Sequence, residues 1–265
     1  MKDIRRLRRS KGDLALLEGP HLVGEAAAAG VELTELLATP EFLASAEGRA
    51  LAARLPHPVE PVDADVLASV LDADSPRGVA AVARLPRSGI GTLPRRPGGV
   101  YVYAEGLQDP GNLGALARSA EAAGAAGLAL APGSAHPNHP RALRASAGSL
   151  LRLPAALGAA PQELAVHLAP LAPRWLALVP RHGESLYGAD LSGALILALG
   201  AEGPGLSAAL EARADLRLTI PVAAPVESLN ATVAASLVLF EIRRRRLAAT
   251  PEATGADPGS GPGFG

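Results

Sequence analysis

Three short polar stretches hold the residues of this chain best placed to do chemistry: Asp109-Pro110-Gly111-Asn112-Leu113-Gly114, Gly200-Ala201-Glu202-Gly203-Pro204-Gly205-Leu206, and Ser228-Leu229-Asn230. Each follows an apolar run that reads as a strand and precedes a segment that reads as a helix. In open α/β sheets, ligands bind at such strand ends. Arg118 lies on the helix opened by the first stretch, among Ala117, Ser119 and Ala120. An arginine on so small-sided a helix can pack closely and point back toward an anionic ligand. Gly200 permits a tight turn at a strand end, and Gly203 and Gly205 leave backbone amides and carbonyls open to a close-lying ligand.

Each polar residue also has a structural reading. Asn112, Ser228 and Asn230 suit helix N-caps. Glu202 at a helix start suits the positive end of the helix dipole. For Ser228 or Asn230 alone, capping is the simpler account. It is the set of three stretches that points to a ligand.

Several chemistries are excluded or lose weight. The 265 residues include no cysteine, so there is no thiol nucleophile, disulfide framework or cysteine-type zinc site. G-x-G-x-x-G, G-x-x-x-x-G-K-[ST] and G-x-S-x-G do not occur. His136 and His139 sit in a Pro-rich loop without the carboxylate pattern of a metal site. A net charge of −1 gives no global pull toward nucleic acid, but the clusters Lys2–Lys11 and Arg243–Arg246 are locally basic. They suit RNA phosphates, a solvated surface or a helix end. No signal peptide or membrane-length apolar run is found, which fits a cytoplasmic protein.

The elements that must position these residues fall in two parts. A Pro/Gly/Arg-rich stretch at 86–97 reads as a linker between a small α/β domain (1–85) and a larger domain (98–248), with a disordered tail at 249–265. In the small domain the spacing predicts a helix over Leu14–Ala29, a strand over Leu33–Ala38, helices over Pro40–Arg54 and Val66–Leu71, and a strand over Val79–Ala83. In the larger one it predicts strands over Val100–Ala104, Leu128–Ala131, Trp175–Val179, Leu195–Leu199 and Leu216–Ile220, with a helix over Leu113–Ala123. These runs do not alternate with polar residues, so both faces of a mainly parallel sheet are expected to be covered. The last helix, Ala231–Leu247, is apolar on nearly every side as far as Ile242. That is more than one sheet face can bury, and a subunit interface would supply the rest.

Taken together, the stretches resemble the three signature motifs of the SpoU family of RNA ribose 2′-O-methyltransferases, within the SPOUT superfamily. Asn112-Leu113-Gly114 with Arg118 matches the first. Leu199 to Leu206 matches the second, and Ile220-Pro221 with Ser228-Leu229-Asn230 the third. Arg144-Ala145-Ser146-Ala147-Gly148 is similar to an intermediate stretch of the family. Glu18 to Ala26 and Pro76 to Val79 resemble the start and end of its substrate-binding domain. Val222 stands where many members have Met, and Ala115 and Ser119 where many have Thr.

The resemblance implies an α/β fold with a trefoil knot, an exception to the rule against threading. It implies S-adenosylmethionine as cofactor, contacted by Gly200, Ile220 and Leu229, and a homodimer acting on structured RNA. Ribosomal RNA is preferred and transfer RNA remains open. The resemblance gives Arg118 the role of general base or its equivalent; because a guanidinium keeps its proton, binding RNA phosphate and stabilising developing alkoxide charge is the preferred role on physical grounds. Asn112 and Ser228 would orient Arg118 and the ribose, Glu202 would fix Arg118 or its loop, and Asn230 would hold the loop. A non-catalytic RNA-binding protein of the same fold and an unrelated nucleotide-binding α/β enzyme are the alternatives.

Overall fold

The computed structural model describes residues 12–71, 77–85, 89–201 and 203–249. The basic cluster Lys2–Lys11, Glu202 and the tail from 250 onward lie outside the described residues.

The first part of the chain builds a four-stranded sheet. Its strands are β1 (Leu14–Glu18), β2 (Glu32–Ala38), β3 (Glu60–Pro61) and β4 (Val79–Arg84), in the order β1-β4-β2-β3. β4 pairs antiparallel with β1 and β2, and β3 joins β2 in parallel. The helix expected over Leu14–Ala29 is thereby corrected: it is β1 followed by helix α1 (Pro20–Ala28). Gly19 at φ 87° breaks the run, and Pro20 starts the helix where no amide hydrogen is needed. The helix expected over Pro40–Arg54 is two short ones, α2 (Pro40–Ala44) and α3 (Ala46–Ala52). Ser45 is extended between them, and its side chain accepts from the Gly48 amide, starting a new helix rather than continuing the old. The next helix, α4, starts earlier than expected (Ala64–Ala68).

The second sheet has seven strands: β5 (Val100–Ala104), β6 (Gly127–Leu130), β7 (Ala155–Leu157), β8 (Arg174–Leu178), β9 (Glu184–Ser185), β10 (Leu195–Leu199) and β11 (Leu216–Thr219). They run in the order β7-β6-β5-β10-β8-β11-β9, with parallel pairing throughout. Val102, Leu128, Leu176 and Leu197 face one core, and Tyr101, Tyr103, Trp175 and Ile196 the other. Helices α5 (Pro110–Ala122), α6 (Pro140–Ser146) and α10 (Ala231–Ala249) cover the first face, with α7 (Ser149–Arg152) following α6. Helices α8 (Pro161–Leu168) and α9 (Ala208–Arg213) cover the other. Double coverage is why these strands are apolar without alternation.

Residues 89–97, within the stretch read as a linker, lie against the second sheet. Leu93 is buried, and the Tyr101 hydroxyl donates to the Pro94 carbonyl and accepts from the Arg96 amide. One hydrophobic cluster runs from Ala15 and Leu17 of the first sheet into Val102 and Leu128 of the second. Polar contacts reinforce it. Buried Asn138 donates to the carbonyls of Gly12 and Leu85, at the two ends of the first part. Arg144 on α6 pairs with buried Glu18 of β1, and Arg152 bridges Glu25 and Glu121. A carboxylate buried as deeply as Glu18 needs such a partner.

Arg244, Arg245 and Arg246 find internal partners at the end of α10. Arg245 donates to the carbonyls of Leu186 and Ala189, Arg246 to that of Gly193, and Arg244 and Arg245 both bind Glu241. This part of the cluster fastens the 186–193 loop to the last helix.

Candidate active site

The C-terminal ends of β8, β10 and β11 open onto a cavity of about 470 Å³. The second and third polar stretches line it together. Gly200, Ala201, Gly203 and Gly205 form one wall, and Ser228, Leu229 and Asn230 another, with Val179, Leu199 and Ile220 at its base. Such a volume is ordinary for a small-molecule site, and the lining is mostly apolar or backbone.

Gly200 explains why the second stretch begins as it does. A Cβ there would lie 2.0 Å from the Gly205 carbonyl carbon and 2.2 Å from the Leu206 amide. Ala201 and Gly205 form a bridge, with the Gly205 amide donating to the Ala201 carbonyl at 3.0 Å. The loop thus folds back on itself with backbone against backbone, and its described glycines bring main-chain groups to the cavity edge. The positions expected to contact a cofactor, Gly200, Ile220 and Leu229, all line this cavity, Ile220 buried and Leu229 half-buried.

The first polar stretch stands beside the cavity rather than in its lining. Asp109, not Asn112, caps α5: its carboxylate accepts from the Asn112 amide at 2.8 Å. Asn112 therefore sits within the first turn, which corrects the N-cap reading of it. The N-cap reading of Asn230 holds, since its Oδ1 accepts from the amides of Thr232 and Val233 at 3.0 and 3.2 Å. Ser228 is exposed at the cavity and makes no capping bond among the described residues.

Two contacts join residues in or next to the stretches. The Thr232 hydroxyl donates to the Asn112 carbonyl at 3.2 Å. Glu105, at the end of β5, accepts from the amide and hydroxyl of Ser207 at 2.7 and 2.9 Å. Sequence reasoning missed Glu105, although a carboxylate directly after a buried strand was the available signal. All three stretches therefore lie at the C-terminal ends of the parallel strands.

Arg118 is exposed on α5 and makes no hydrogen bond or ion pair among the described residues. Its helix is held from behind. A Cβ on Gly114 would come 2.3 Å from the Ala142 carbonyl, so Gly114 lets α5 press against α6. Arg144 on α6 is in turn bound to Glu18 of the first sheet. His136 and His139 serve the backbone: their Nδ1 atoms accept from the amides of Asn138 and Arg141. No metal-ligand cluster occurs among the described residues.

Residues 99–240 match the SpoU rRNA Methylase family, and residues 1–81 match the MRM3-like substrate binding domain. An uncharacterized tRNA/rRNA methyltransferase of Synechocystis is 33% identical, over 94% of this chain and 92% of that protein. The 23S rRNA (guanosine(2553)-2'-O)-methyltransferase RlmP of Bacillus subtilis is 28% identical, over 89% of this chain and 90% of its own. The crystal structure of the SpoU methyltransferase AviRb from Streptomyces viridochromogenes, in complex with AdoMet, superposes with a TM-score of 0.84. It is 28% identical, with 93% of this chain and 97% of that one covered. With more than half of its length matched to the family and its sheet reproduced in a cofactor-bound relative, the chain belongs to the SpoU rRNA methylase family.

Proposed function

We infer that this chain transfers a methyl group from S-adenosylmethionine to a ribose 2′-hydroxyl of RNA, with ribosomal RNA as its substrate. The observation that carries this reading is the meeting of the second and third polar stretches around one backbone-edged cavity, with Asn112 of the first stretch bonded to Thr232 just beyond the third. The residues present fit the cofactor: Gly200 occupies a place where a side chain would collide, and Ile220 and Leu229 offer apolar surface. When bound, S-adenosylmethionine supplies an electrophilic methyl group on a sulfonium.

The chain's own residues have to position the acceptor and manage its charge. Arg118, free to meet solvent, holds an RNA phosphate and stabilises negative charge growing on the ribose oxygen; its guanidinium stays protonated throughout, and the hydroxyl proton passes to solvent water. Asn112 and Ser228 orient Arg118 and the ribose. Asn230 keeps the third stretch in place by capping α10, and Glu202 fixes Arg118 or its loop.

The first domain (1–85) grips structured RNA by shape and exposed loops. The second (98–248) carries the reaction and the trefoil knot. A homodimer covers the last helix, where Val233, Leu237 and Phe240 form an apolar stripe about half exposed. The cytoplasm is the compartment that fits an RNA substrate, and no described helix is long and apolar enough to cross a membrane.

Mapping of ribose methylation in RNA from cells with and without the gene tests the reading. The expected result is the loss of one 2′-O-methyl group from ribosomal RNA. Loss from a transfer RNA instead would reassign the substrate. Unchanged RNA, together with no tritiated methyl transfer by the purified protein, would leave a non-catalytic RNA-binding protein.

A further inference from the structure

Among the described residues lining the cavity, Glu227 is the one charged side chain. It immediately precedes Ser228 at the end of the loop that leads into α10. Its Oε1 accepts from Nη2 of Arg181 at 2.9 Å. Arg181 follows Pro180, which lines the cavity from the end of β8. The ion pair thus spans the mouth from one wall to the other. Both side chains are largely exposed, 59% for Arg181 and 81% for Glu227, so neither is needed to fill the core. An exposed pair of this kind adds little to stability, and its partners can separate at small cost.

The charges of the two ligands that this cavity would exchange differ. S-adenosylmethionine carries a sulfonium, an ammonium and a carboxylate, for a net charge of +1. Loss of the methyl cation leaves a neutral thioether and a net charge of zero. A carboxylate at the mouth favours the first ligand over the second, and a guanidinium does the opposite.

We propose that Glu227 sets the preference of the cavity for the cationic methyl donor over the neutral product, and that Arg181 holds Glu227 across the mouth when no cation is there to compete. Glu227 turns from Arg181 toward the donor on loading and returns to Arg181 once the ligand's positive charge has left with the methyl group. With Glu227 paired to Arg181 again, no carboxylate at the mouth attracts the neutral product, which favours its replacement by the cationic donor. This inference rests on the methyl-donor reading of the cavity.

Isothermal titration calorimetry on the full chain tests it. The probes are S-adenosylmethionine, S-adenosylhomocysteine and sinefungin, whose protonated amine replaces the sulfonium. Glu227→Gln should lower the preference for each cationic ligand over S-adenosylhomocysteine about three- to tenfold, with binding of the neutral ligand nearly unchanged. Arg181→Gln should raise that preference by a similar factor. In the wild type the preference should shrink as salt is added, because charges at an open mouth are screened. Equal weakening of all three ligands by Glu227→Gln, or an Arg181→Gln variant that loses preference, overturns the proposal. If the wild type binds none of the three, the methyl-donor reading itself has failed, a result distinct from unaltered selectivity.

Discussion

The cavity at the ends of β8, β10 and β11 is finished by this chain's own backbone, whereas the helix that carries Arg118 ends its side chain in solvent. The two regions are neighbours, joined through Thr232 and Asn112 and through Glu105 and Ser207. They differ in what completes them. The cavity has its walls set by close backbone contacts that admit no side chain at Gly200. Arg118 has rigid support behind it, from Gly114 and α6, but no partner in front among the described residues. On the proposed reading, one region would hold a small molecule before RNA arrives, and the other would meet RNA.

Substitutions can break that division. The largest effect expected is that of Arg118→Ala, which should cut methyl transfer by at least about a hundredfold while leaving the cofactor Kd within about twofold. Near-normal turnover in this variant would remove Arg118 from the reaction. Gly200→Ala should do the reverse. Its new Cβ forces apart the 200–206 turn, costing about 1–3 kcal/mol and weakening cofactor binding at least about tenfold in calorimetry. Unaltered cofactor affinity would show that the turn is not the binding wall.

A third substitution sharpens the contrast from a distance. Asn138→Ala leaves the carbonyls of buried Leu85 and of exposed Gly12 without their side-chain donor, at a cost of about 1–3 kcal/mol. Thermal denaturation should show a Tm lower by several degrees, and RNA affinity should fall more than cofactor affinity. The smallest effect concerns pH. Two arginines, Arg244 first and then Arg245, hold the Glu241 carboxyl down at about 2. Its contribution is complete above about pH 4.5 and disappears as pH falls toward about 2. Glu241→Gln should therefore lower the Tm by about 2 °C or less at neutral pH, with the gap from wild type closing in acid. A gap that widens in acid would refute the assignment.

Much of the second sheet was legible because covered parallel strands are written as unbroken apolar runs. Val100–Ala104 and Leu195–Leu199 needed no adjustment. The first part was harder to read. Leu14–Glu18 is short and apolar enough to suit a helix or a strand, and pairing with β4 decides the matter. Ser45 ends one helix and caps the next, and local spacing cannot separate those roles from a continuous helix. At the site, the stretches themselves were visible, but which residue caps α5 was not, since Asp109 and Asn112 are both good caps. The contacts of Glu18, Asn138 and Arg144 join residues far apart in the chain, and only folding brings them together. A charged Glu18 closing an apolar run was the one hint of them in the sequence.

The pair of hydrogen bonds donated by Asn138 has an evolutionary consequence. Because one amide nitrogen reaches both Gly12 and Leu85, the chain enters and leaves its first module at nearly the same spot on the catalytic body. A segment whose ends meet so closely can be exchanged as a cassette without re-routing the rest of the polypeptide. New RNA targets could then be acquired by replacing that cassette while the methyl-donor cavity is inherited intact.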